Sequence, residues 1–295
     1  MAIDYLCNLV IPGAAKSGTS SLHDYLNAHP HIAMSAQKEP HHFCRAAKYQ
    51  QGAKAHNALF DKHPDTQYYG ESSIGYLPWP KAAERILHDL ANPKAIIVLR
   101  HPVARCFSHY RWRYRLGLEK RSFLSAMTQD GYGYDPERPT NFGYMAYLEF
   151  SNYAVHCPAW EQLLGAENCL IIAAEHMLAN RDTALDRCFA FLDLAQMAPT
   201  GKIDKRNETD TLGRRPPKAV TRLASLLPKG IRASGVFQKA KASVLRAAAP
   251  EPPTSMTEDE RTYVTHMLAE DIAWYESKFA MSDMTTPPEQ SYNRD

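Results

Sequence analysis

Residues 9–22 place the strongest constraint on what this chain can fold into. They read LVIPGAAKSGTSSL, an apolar run followed by a loop of small residues and the start of a helix. Backbone N–H groups in a tight loop and at a helix N-terminus point toward an anion, and a lysine such as Lys16 adds a full positive charge. The stretch therefore predicts a strand–loop–helix unit that binds a phosphate group, although a plain tight connection can have the same composition.

The position of the lysine distinguishes this loop from a Walker A loop. In the pattern G-x-x-x-x-G-K-[ST] the lysine follows the second glycine, at the first turn of the helix. Here Lys16 precedes Gly18, and Thr19, Ser20 and Ser21 come after it. We therefore expect an anionic ligand other than ATP.

Apolar runs alternate with helical segments along the chain. Ala95–Leu99 has no polar alternation, as is typical of a strand buried on both faces. Further strands are predicted at Leu6–Ile11, Tyr68–Gly70 and Cys169–Ala174, and helices at Thr19–Ala28, Gln51–Lys62, Pro78–Leu90, Pro102–Leu116, Ser122–Thr128, Tyr144–Leu164, Asp182–Leu192 and from Thr257 to Phe279. This alternation predicts an α/β fold, a P-loop-like parallel sheet with helices on both faces.

The same reading predicts the domain organisation. One domain is expected over residues 1–284, which includes a Gly-, Pro- and Tyr-rich loop at 130–143. Residues 218–256 are a weakly specified helical segment or linker, and residues 285–295 are expected to form a disordered tail. The number of chains in the assembly is open.

Composition excludes several classes of protein. The chain has 34 Lys and Arg against 32 Asp and Glu, a net charge of +2, so no global basic field favours a nucleic-acid partner. Six cysteines without a C-x-x-C pair predict reduced thiols and no metal site. The chain also lacks about 18 consecutive apolar residues and a secretory pattern, so we expect a cytoplasmic protein without an integral membrane segment.

A second candidate anion site follows the predicted strand Ala95–Leu99. Arg100 leaves the carboxyl end of the strand, Pro102 begins a helix, and Ser108 lies about 9 Å further along the helix axis at about 1.5 Å per residue. An arginine and a hydroxyl in this arrangement can flank one phosphate, because the guanidinium donates two charge-assisted hydrogen bonds. Both predicted sites follow parallel strands, so they are expected to converge on one ligand.

These two motifs resemble those of sulfotransferases that use 3′-phosphoadenosine 5′-phosphosulfate (PAPS). PGAAKSGTSSL resembles their 5′-phosphosulfate loop, and RHPVARCFSHY resembles their 3′-phosphate motif R-D-P-x-x-R-x-x-S-x-Y. The resemblance covers roughly residues 8–215 and implies that PAPS is the donor, without a metal. The donor-binding residues that it implies are Lys16, Ser17, Gly18, Thr19, Ser20, Arg100 and Ser108, with Lys16 also acting in catalysis. His101 stands where aspartate is usual, which removes a carboxylate from the N-terminus of the helix.

A third segment resembles the part of heparan-type sulfotransferases that carries the catalytic base. Residues 38–43, KEPHHF, are similar to K-E-x-H-F-F, which implies that Glu39 is the base. His41 and His42 are alternative bases because imidazole titrates near neutral pH, and a purely structural loop is a third reading. Ser72 replaces the lysine expected after Glu71, so heparan-like handling of the acceptor is not implied.

Two basic segments remain. Lys205, Arg206 and Asn207 resemble a late loop that closes over the 3′-phosphate and adenine, or else form a solvated charge run. The run Arg111–Arg115 alternates arginine with aromatic residues, which favours solvated arginines beside packed rings over an acceptor or single-stranded nucleic-acid site.

Taken together, the residues and the resemblance predict a bacterial, PAPS-dependent sulfotransferase. The acceptor is expected to be a hydroxyl, or as a second choice an amine, on a carbohydrate, a glycolipid or a small molecule. The alternatives are a P-loop kinase and a protein that binds PAPS without turnover.

Overall fold

Five short parallel strands form one sheet in this computed structural model, which describes residues 4–129, 146–197 and 251–280. The strands are β1 Leu9–Ile11, β2 Ile32–Met34, β3 Tyr68–Ser72, β4 Lys94–Leu99 and β5 Cys169–Ala173. Their order across the sheet is β2-β3-β1-β4-β5, and each neighbouring pair is parallel. β4 and β5 form the longest pairing, from Ala95 opposite Cys169 to Leu99 opposite Ala173.

Helices connect and flank these strands. They are α1 Thr19–Leu26, α2 Ala46–Tyr49, α3 Gly52–Asn57, α4 Pro80–Asp89, α5 Pro102–Arg115, α6 Phe123–Thr128, α7 Tyr153–Leu164, α8 Ala174–Ala179, α9 Arg181–Phe191, α10 Glu258–Met267 and α11 Ala269–Ala280. Two 3₁₀ turns, Glu149–Ser151 and Ala166–Asn168, lie on either side of α7.

The side chains of β4 alternate between two hydrophobic layers, one on each face of the sheet. Ile96 lies in the layer that α1, α8 and α9 complete, where it packs with residues such as Leu22. Ile97 lies in the opposite layer with α4, α7 and α11, which includes Trp160. Burial on both faces explains why this strand has no polar alternation. The predicted parallel sheet with helices on both faces is confirmed.

The strand order creates a crevice beside β1. In the sheet, β3 and β2 lie on one side of β1, and β4 and β5 lie on the other side. The chain visits the first side before it crosses β1 to the second. Ligands of open α/β sheets bind beyond the carboxyl ends of the strands where the order reverses in this way. The loop after β1 and the turn after β4 therefore flank the same crevice, as expected from the two motifs.

Two predicted helices are divided in the structure. Instead of one helix over Tyr144–Leu164, a 3₁₀ turn precedes α7, and Pro158 lies inside α7 without ending it. The capping box that starts the last helix is present between Thr257 and Glu260. That helix ends at Leu268, which is buried against α5 and α6 with φ −107° and ψ 19°, so tertiary packing divides α10 from α11.

Parts of the predicted organisation lie outside the described residues. They include the loop at 130–143, most of the segment 218–256 and the tail at 285–295. The domain bounds 1–284 stay a prediction. Within the described ranges, no helix has both the length and the apolar character needed to cross a bilayer.

Candidate active site

The loop over residues 12–18 is held against β4 by its backbone. The Ala14 N–H donates to the Val98 carbonyl at 2.6 Å, and the Val98 N–H donates to the Gly13 carbonyl at 2.9 Å. A Cβ on Gly13 would lie 2.9 Å from the Leu77 Cβ, so this close approach requires glycine. Lys16 and Gly18 both have left-handed backbone conformations, with φ 68° and 87°. The chain thus curls tightly before α1, as the small residues predicted.

The loop carries polar groups suited to an anion. Ser17 is 1% exposed, and its Oγ has no hydrogen-bond partner of acceptable geometry among the described residues, although the Tyr153 hydroxyl lies beside it. Gly18 precedes α1 and is exposed, Thr19 is buried, and Ser20 is half-buried in the first turn of the helix. A buried hydroxyl that lacks a strong acceptor fits a position against a bound oxyanion.

Lys16 lies among other cations. Its Nζ is 5.6 Å from the centre of the Trp112 ring, within the range of a cation–π contact. Burial, together with the neighbouring charges of Arg100, Arg111 and Lys38, lowers the pKa of Lys16 to about 8. Cations converge here from two loops and one helix, which is the electrostatic signature of an anion site.

Two arginines of α5 differ from what the sequence alone predicts. Arg111 and Arg113 are 7% and 8% exposed, so the expectation of solvated arginines along α5 is wrong. Arg111 lies three residues after Ser108 on the same helix, and residues three apart share a helix face. That spacing was a signal that could have assigned Arg111 to the site. Ser108 itself is half-buried within α5.

The turn after β4 is fixed at both polar atoms of one peptide unit. The Tyr153 hydroxyl donates to the Arg100 carbonyl at 3.1 Å, and the His101 N–H donates to Glu175 Oε1 at 3.0 Å. His101 caps α5 without a side-chain hydrogen bond, and burial lowers its pKa. Glu175 therefore brings to the start of α5 a carboxylate that the helix's own sequence does not provide.

Arg105, the second arginine of the motif, has a structural role. It is fully buried, its Nε donates to Ser151 Oγ at 2.6 Å, and its guanidinium also donates to the Tyr147 carbonyl. Ser151 Oγ in turn donates to the Pro102 carbonyl at 3.3 Å. Arg105 thus ties α5 to the 3₁₀ turn before α7.

Glu39 lies in the loop over residues 38–44, which follows β2. Its carboxylate accepts hydrogen bonds from Lys38 Nζ and the Ile74 N–H, both at 3.0 Å, and His41 Nε2 lies 3.5 Å away. The side chain keeps 26% of its surface exposed, so it is partly open to solvent. Burial raises the pKa of Glu39, while Lys38 and the Ile74 N–H act in the opposite direction. Glu39 and His41 have positive φ values of 58° and 54°, a strained conformation that is often found at functional sites.

Glu71, near the end of β3, holds the 38–44 loop in place through two hydroxyl groups. It is fully buried and accepts hydrogen bonds from the Tyr76 hydroxyl at 2.6 Å and from Ser73 Oγ at 2.8 Å, and His56 Nε2 lies 3.3 Å away. The Ser73 and Tyr76 oxygens then accept the N–H groups of His41 and Phe43 at 3.0 and 3.1 Å. Burial alone would raise the pKa of Glu71, but the hydrogen bonds hold it below its ordinary value. Sequence reasoning missed this role.

The structure separates the two alternative bases from each other. His42 is 3% exposed in a cluster of aromatic rings, where its Nε2 lies 3.0 Å from the Tyr5 hydroxyl. Its ring centre is 4.5 Å from that of His56. Burial lowers the pKa values of His41 and His42 to about 4, so both imidazoles are neutral at neutral pH. Of the three candidates, Glu39 is the one whose side chain is partly open to solvent.

Ser72 also has a structural partner. Its Oγ lies 2.8 Å from His23 Nδ1 of α1, and the Ser72 carbonyl accepts the Glu39 N–H at 3.0 Å. The residue that replaces the expected lysine therefore joins β3 to α1 and to the 38–44 loop. Lys205, Arg206 and Asn207 lie outside the described residues. Within those residues, no group of three or more His, Cys, Asp or Glu side chains is arranged to hold a metal.

Comparison with known proteins identifies the family of this chain. The sulfotransferase domain family matches residues 7–212, more than half of the chain, so the chain belongs to that family. It is similar to the human heparan sulfate glucosamine 3-O-sulfotransferase 6, at 26% identity over 188 residues, which cover 64% of this chain and 52% of the relative. It is also similar to the membrane-associated sulfotransferase kil1 of Dictyostelium discoideum, at 34% identity over 110 residues, 36% of this chain and 23% of that protein.

A solved structure shows the same fold. The crystal structure of a sulfotransferase from Alicyclobacillus acidocaldarius has a TM-score of 0.64 to this chain, at 23% identity, and covers 93% of this chain and 96% of its own. The alignments to the two relatives cover about half of the human protein and about a quarter of the Dictyostelium protein.

Proposed function

We propose that this chain transfers a sulfuryl group from PAPS to a hydroxyl group of an acceptor. The observation that carries the proposal is the convergence of Lys16, Arg100 and Arg111 at the edge of the sheet where Glu39 also lies. The cations suit a donor with phosphates at both ends, and the carboxylate suits removal of a proton from the acceptor.

The described residues fit the donor. Lys16, Ser17 and the N-terminus of α1 would hold its 5′-phosphate, because the Ser17 hydroxyl is buried without a strong acceptor of its own. Arg100 and Ser108, with Arg111 beside them, would hold its 3′-phosphate. We also propose, from the resemblance alone, that Lys205, Arg206 and Asn207 contribute to the 3′-phosphate and adenine side.

The chemistry needs positioning and charge more than covalent catalysis. Glu39 would accept the proton of the acceptor hydroxyl as its oxygen bonds to sulfur and the bond from sulfur to the phosphate oxygen breaks. Lys16 would stabilise the negative charge left on the 5′-phosphate. His42, the other predicted catalytic residue, would support the 38–44 loop through its ring contacts and take no part in the chemistry.

The human relative is named for a glucosamine hydroxyl of heparan sulfate, which favours a carbohydrate acceptor here. A glycolipid or another small molecule is the next choice, and an amine the last. Ser72 supplies no cation beside Glu71. We therefore expect the acceptor to carry less negative charge than heparan sulfate.

Ligand-dependent stabilisation tests the donor site. Adenosine 3′,5′-bisphosphate at about 100 times its Kd should stabilise the protein by roughly 2.7 kcal/mol, whereas Mg-ATP should have little effect. Arg100→Ala and Lys16→Ala should abolish the shift in Tm. Arg187→Ala and Lys54→Ala, at exposed positions on α9 and α3, are the matched controls. A shift with Mg-ATP alone would favour a P-loop kinase and contradict the proposal.

Transfer itself needs a second assay. Sulfate labelled in PAPS should appear on a carbohydrate from a panel of oligosaccharides, glycolipids and small alcohols. Binding of the bisphosphate with no transfer to any acceptor in the panel, and no slow hydrolysis of PAPS, would favour a binding protein instead.

We also propose a cytoplasmic location in a bacterium. All six cysteines are free and buried. Burial raises the pKa of several of these thiols, among them Cys44 and Cys188 to about 12. Reduced, unreactive thiols fit a reducing compartment. Fractionation of the native cells would test the location.

A further inference from the structure

The C-terminal helix α11 lies beyond the part of the chain that matches the family, yet it reaches the candidate donor site. The match ends at residue 212, whereas α11 spans Ala269–Ala280. The Tyr275 hydroxyl donates to Glu175 Oε2 at 2.7 Å. Glu175 Oε1 in turn accepts the His101 N–H at 3.0 Å. A chain of two hydrogen bonds thus runs from α11 to the turn that carries Arg100.

These contacts act on a single peptide unit. The carbonyl of Arg100 is held by Tyr153, and the N–H of the same peptide group is held by Glu175. A peptide group is planar, so fixing both of its polar atoms also fixes the Cα of Arg100. The preceding residue, Leu99, is the last residue of β4, so the backbone is held on both sides of Arg100 and the directions open to its side chain are limited. Ring contacts reinforce the arrangement, with the Tyr275 ring 5.8 Å from His101 and 6.5 Å from Tyr153.

His101 stands at the N-terminus of α5, where the family motif has an aspartate. The usual aspartate would place a carboxylate at the N-terminus of α5, where the helix has unpaired N–H groups and partial positive charge. His101 makes no side-chain cap, and α5 has no acidic residue in its first turn. Glu175, which lies in the first turn of α8, 74 positions later in sequence, places its carboxylate there instead.

We propose that Glu175 and Tyr275 are positioning residues for the 3′-phosphate contact of Arg100, so that α11 is a functional part of the donor site. The inference rests on the proposed function, because it assumes that Arg100 binds the 3′-phosphate. It assigns a role to a helix outside the family match, and it predicts that donor selectivity depends on a residue more than 170 positions away from Arg100 in the chain.

The test compares two ligands that differ only in the 3′-phosphate. Affinities for adenosine 3′,5′-bisphosphate and adenosine 5′-monophosphate are measured by calorimetry on the full chain and on four variants. Glu175→Ala should weaken bisphosphate binding about tenfold, and Tyr275→Phe about threefold, since each removes one or two hydrogen bonds behind Arg100. Both variants should leave the affinity for the monophosphate within about twofold, because that ligand depends on the Lys16 loop.

Two further variants separate positioning from general effects. Glu175→Gln keeps an oxygen that can accept the His101 N–H, so it should recover most of the lost selectivity. Glu276→Gln is the matched control, because Glu276 is an exposed carboxylate on α11 whose charge also acts on His101. It should bind both ligands as the original chain does. An equal loss in Glu276→Gln would mean that charge, not the hydrogen bond, is responsible, and would overturn the proposal.

The remaining outcomes are also distinct. If Glu175→Ala and Tyr275→Phe lose affinity for both ligands equally, or for neither, the positioning role is wrong while the proposed function stands. If the original chain does not prefer the bisphosphate, Arg100 has no 3′-phosphate to bind, and both proposals fail. Should Glu175→Ala not fold, Tyr275→Phe decides alone, because it keeps the ring that packs in the core.

Discussion

The donor side of the site and the 38–44 loop lie at the same edge of the sheet but are held by different kinds of contact. On the donor side, half-buried Lys16 and Arg100 lie near buried Arg111, and the backbone holds the loop against β4. In the 38–44 loop, a fully buried carboxylate holds the segment through neutral hydroxyl groups and N–H groups. A bound anion, as proposed, would therefore stabilise the first region, whereas the hydrogen bonds of the second region form without a ligand.

This difference has a physical reason. Cations that repel one another cost free energy until an anion arrives, so the donor side gains selectivity for charge. A general base has to stay at one position through the reaction, and a buried hydrogen-bond network holds it there. The left-handed conformations of Glu39 and His41 are strained, and the Glu71 network is what maintains them.

The largest effect is expected at the base. Glu39→Gln keeps the shape of the side chain but removes the proton acceptor, so kcat should fall about 10²–10⁴-fold. Affinity for the bisphosphate should stay unchanged, as measured by calorimetry, because the donor side does not use Glu39. Glu84→Gln, at an exposed position on α4, serves as the control. Retained transfer in Glu39→Gln would return the role to His41 or His42.

On the donor side, loss of Lys16 is expected to have the next largest effect. Lys16→Ala removes the cation nearest to the developing charge, so kcat/KM should fall by about 10²–10³-fold. Steady-state kinetics with varied PAPS would measure it, with Lys54→Ala as the matched exposed lysine. A change in KM for the acceptor alone would place Lys16 on the other side of the site.

Disruption of the buried network should affect both stability and rate. Glu71→Gln leaves donors without a full set of acceptors, so the free energy of unfolding should fall by about 2 kcal/mol. Denaturant unfolding measures this loss, and kcat should decrease at an unchanged affinity for the bisphosphate. Glu119→Gln is the matched control, because Glu119 is also a buried carboxylate, paired with Arg121 and Tyr147 beyond α5. Glu119→Gln should lose similar stability and keep its kcat. If the two variants have equal kcat values, Glu71 has no role in positioning the loop.

The smallest effect concerns pH and applies to the donor side alone. Burial and neighbouring cations lower the pKa of Lys16 to about 8, so the ammonium is charged below that pH and neutral above it. Bisphosphate affinity should therefore be highest near pH 7 and fall, by at most about tenfold per pH unit, as the pH rises past 8. Lys16→Arg stays charged and should remove this dependence. A dependence that persists in Lys16→Arg would assign the titration to another group.

Local sequence was a good guide wherever one segment contains the whole feature. The run Ala95–Leu99 predicts a buried strand, and the small residues around Lys16 predict a tight loop before a helix, because both follow from side-chain size and polarity alone. The predicted ends of the helices were less accurate. Leu268 interrupts a helical pattern because it packs against α5 and α6, and no local signal marks that contact.

The functional assignments also divide into those that a local segment predicts and those that depend on tertiary contacts. The residue order by itself determined the parallel α/β fold, the 12–18 loop, Arg100 after a strand and the family to which the chain belongs. Only the tertiary structure decided that Arg111 is buried near Lys16, that Ser72 joins His23, and that Glu175 and Tyr275 hold the Arg100 turn. These contacts join residues that lie far apart in the chain, and they depend on strand order and helix packing, which a local pattern does not encode.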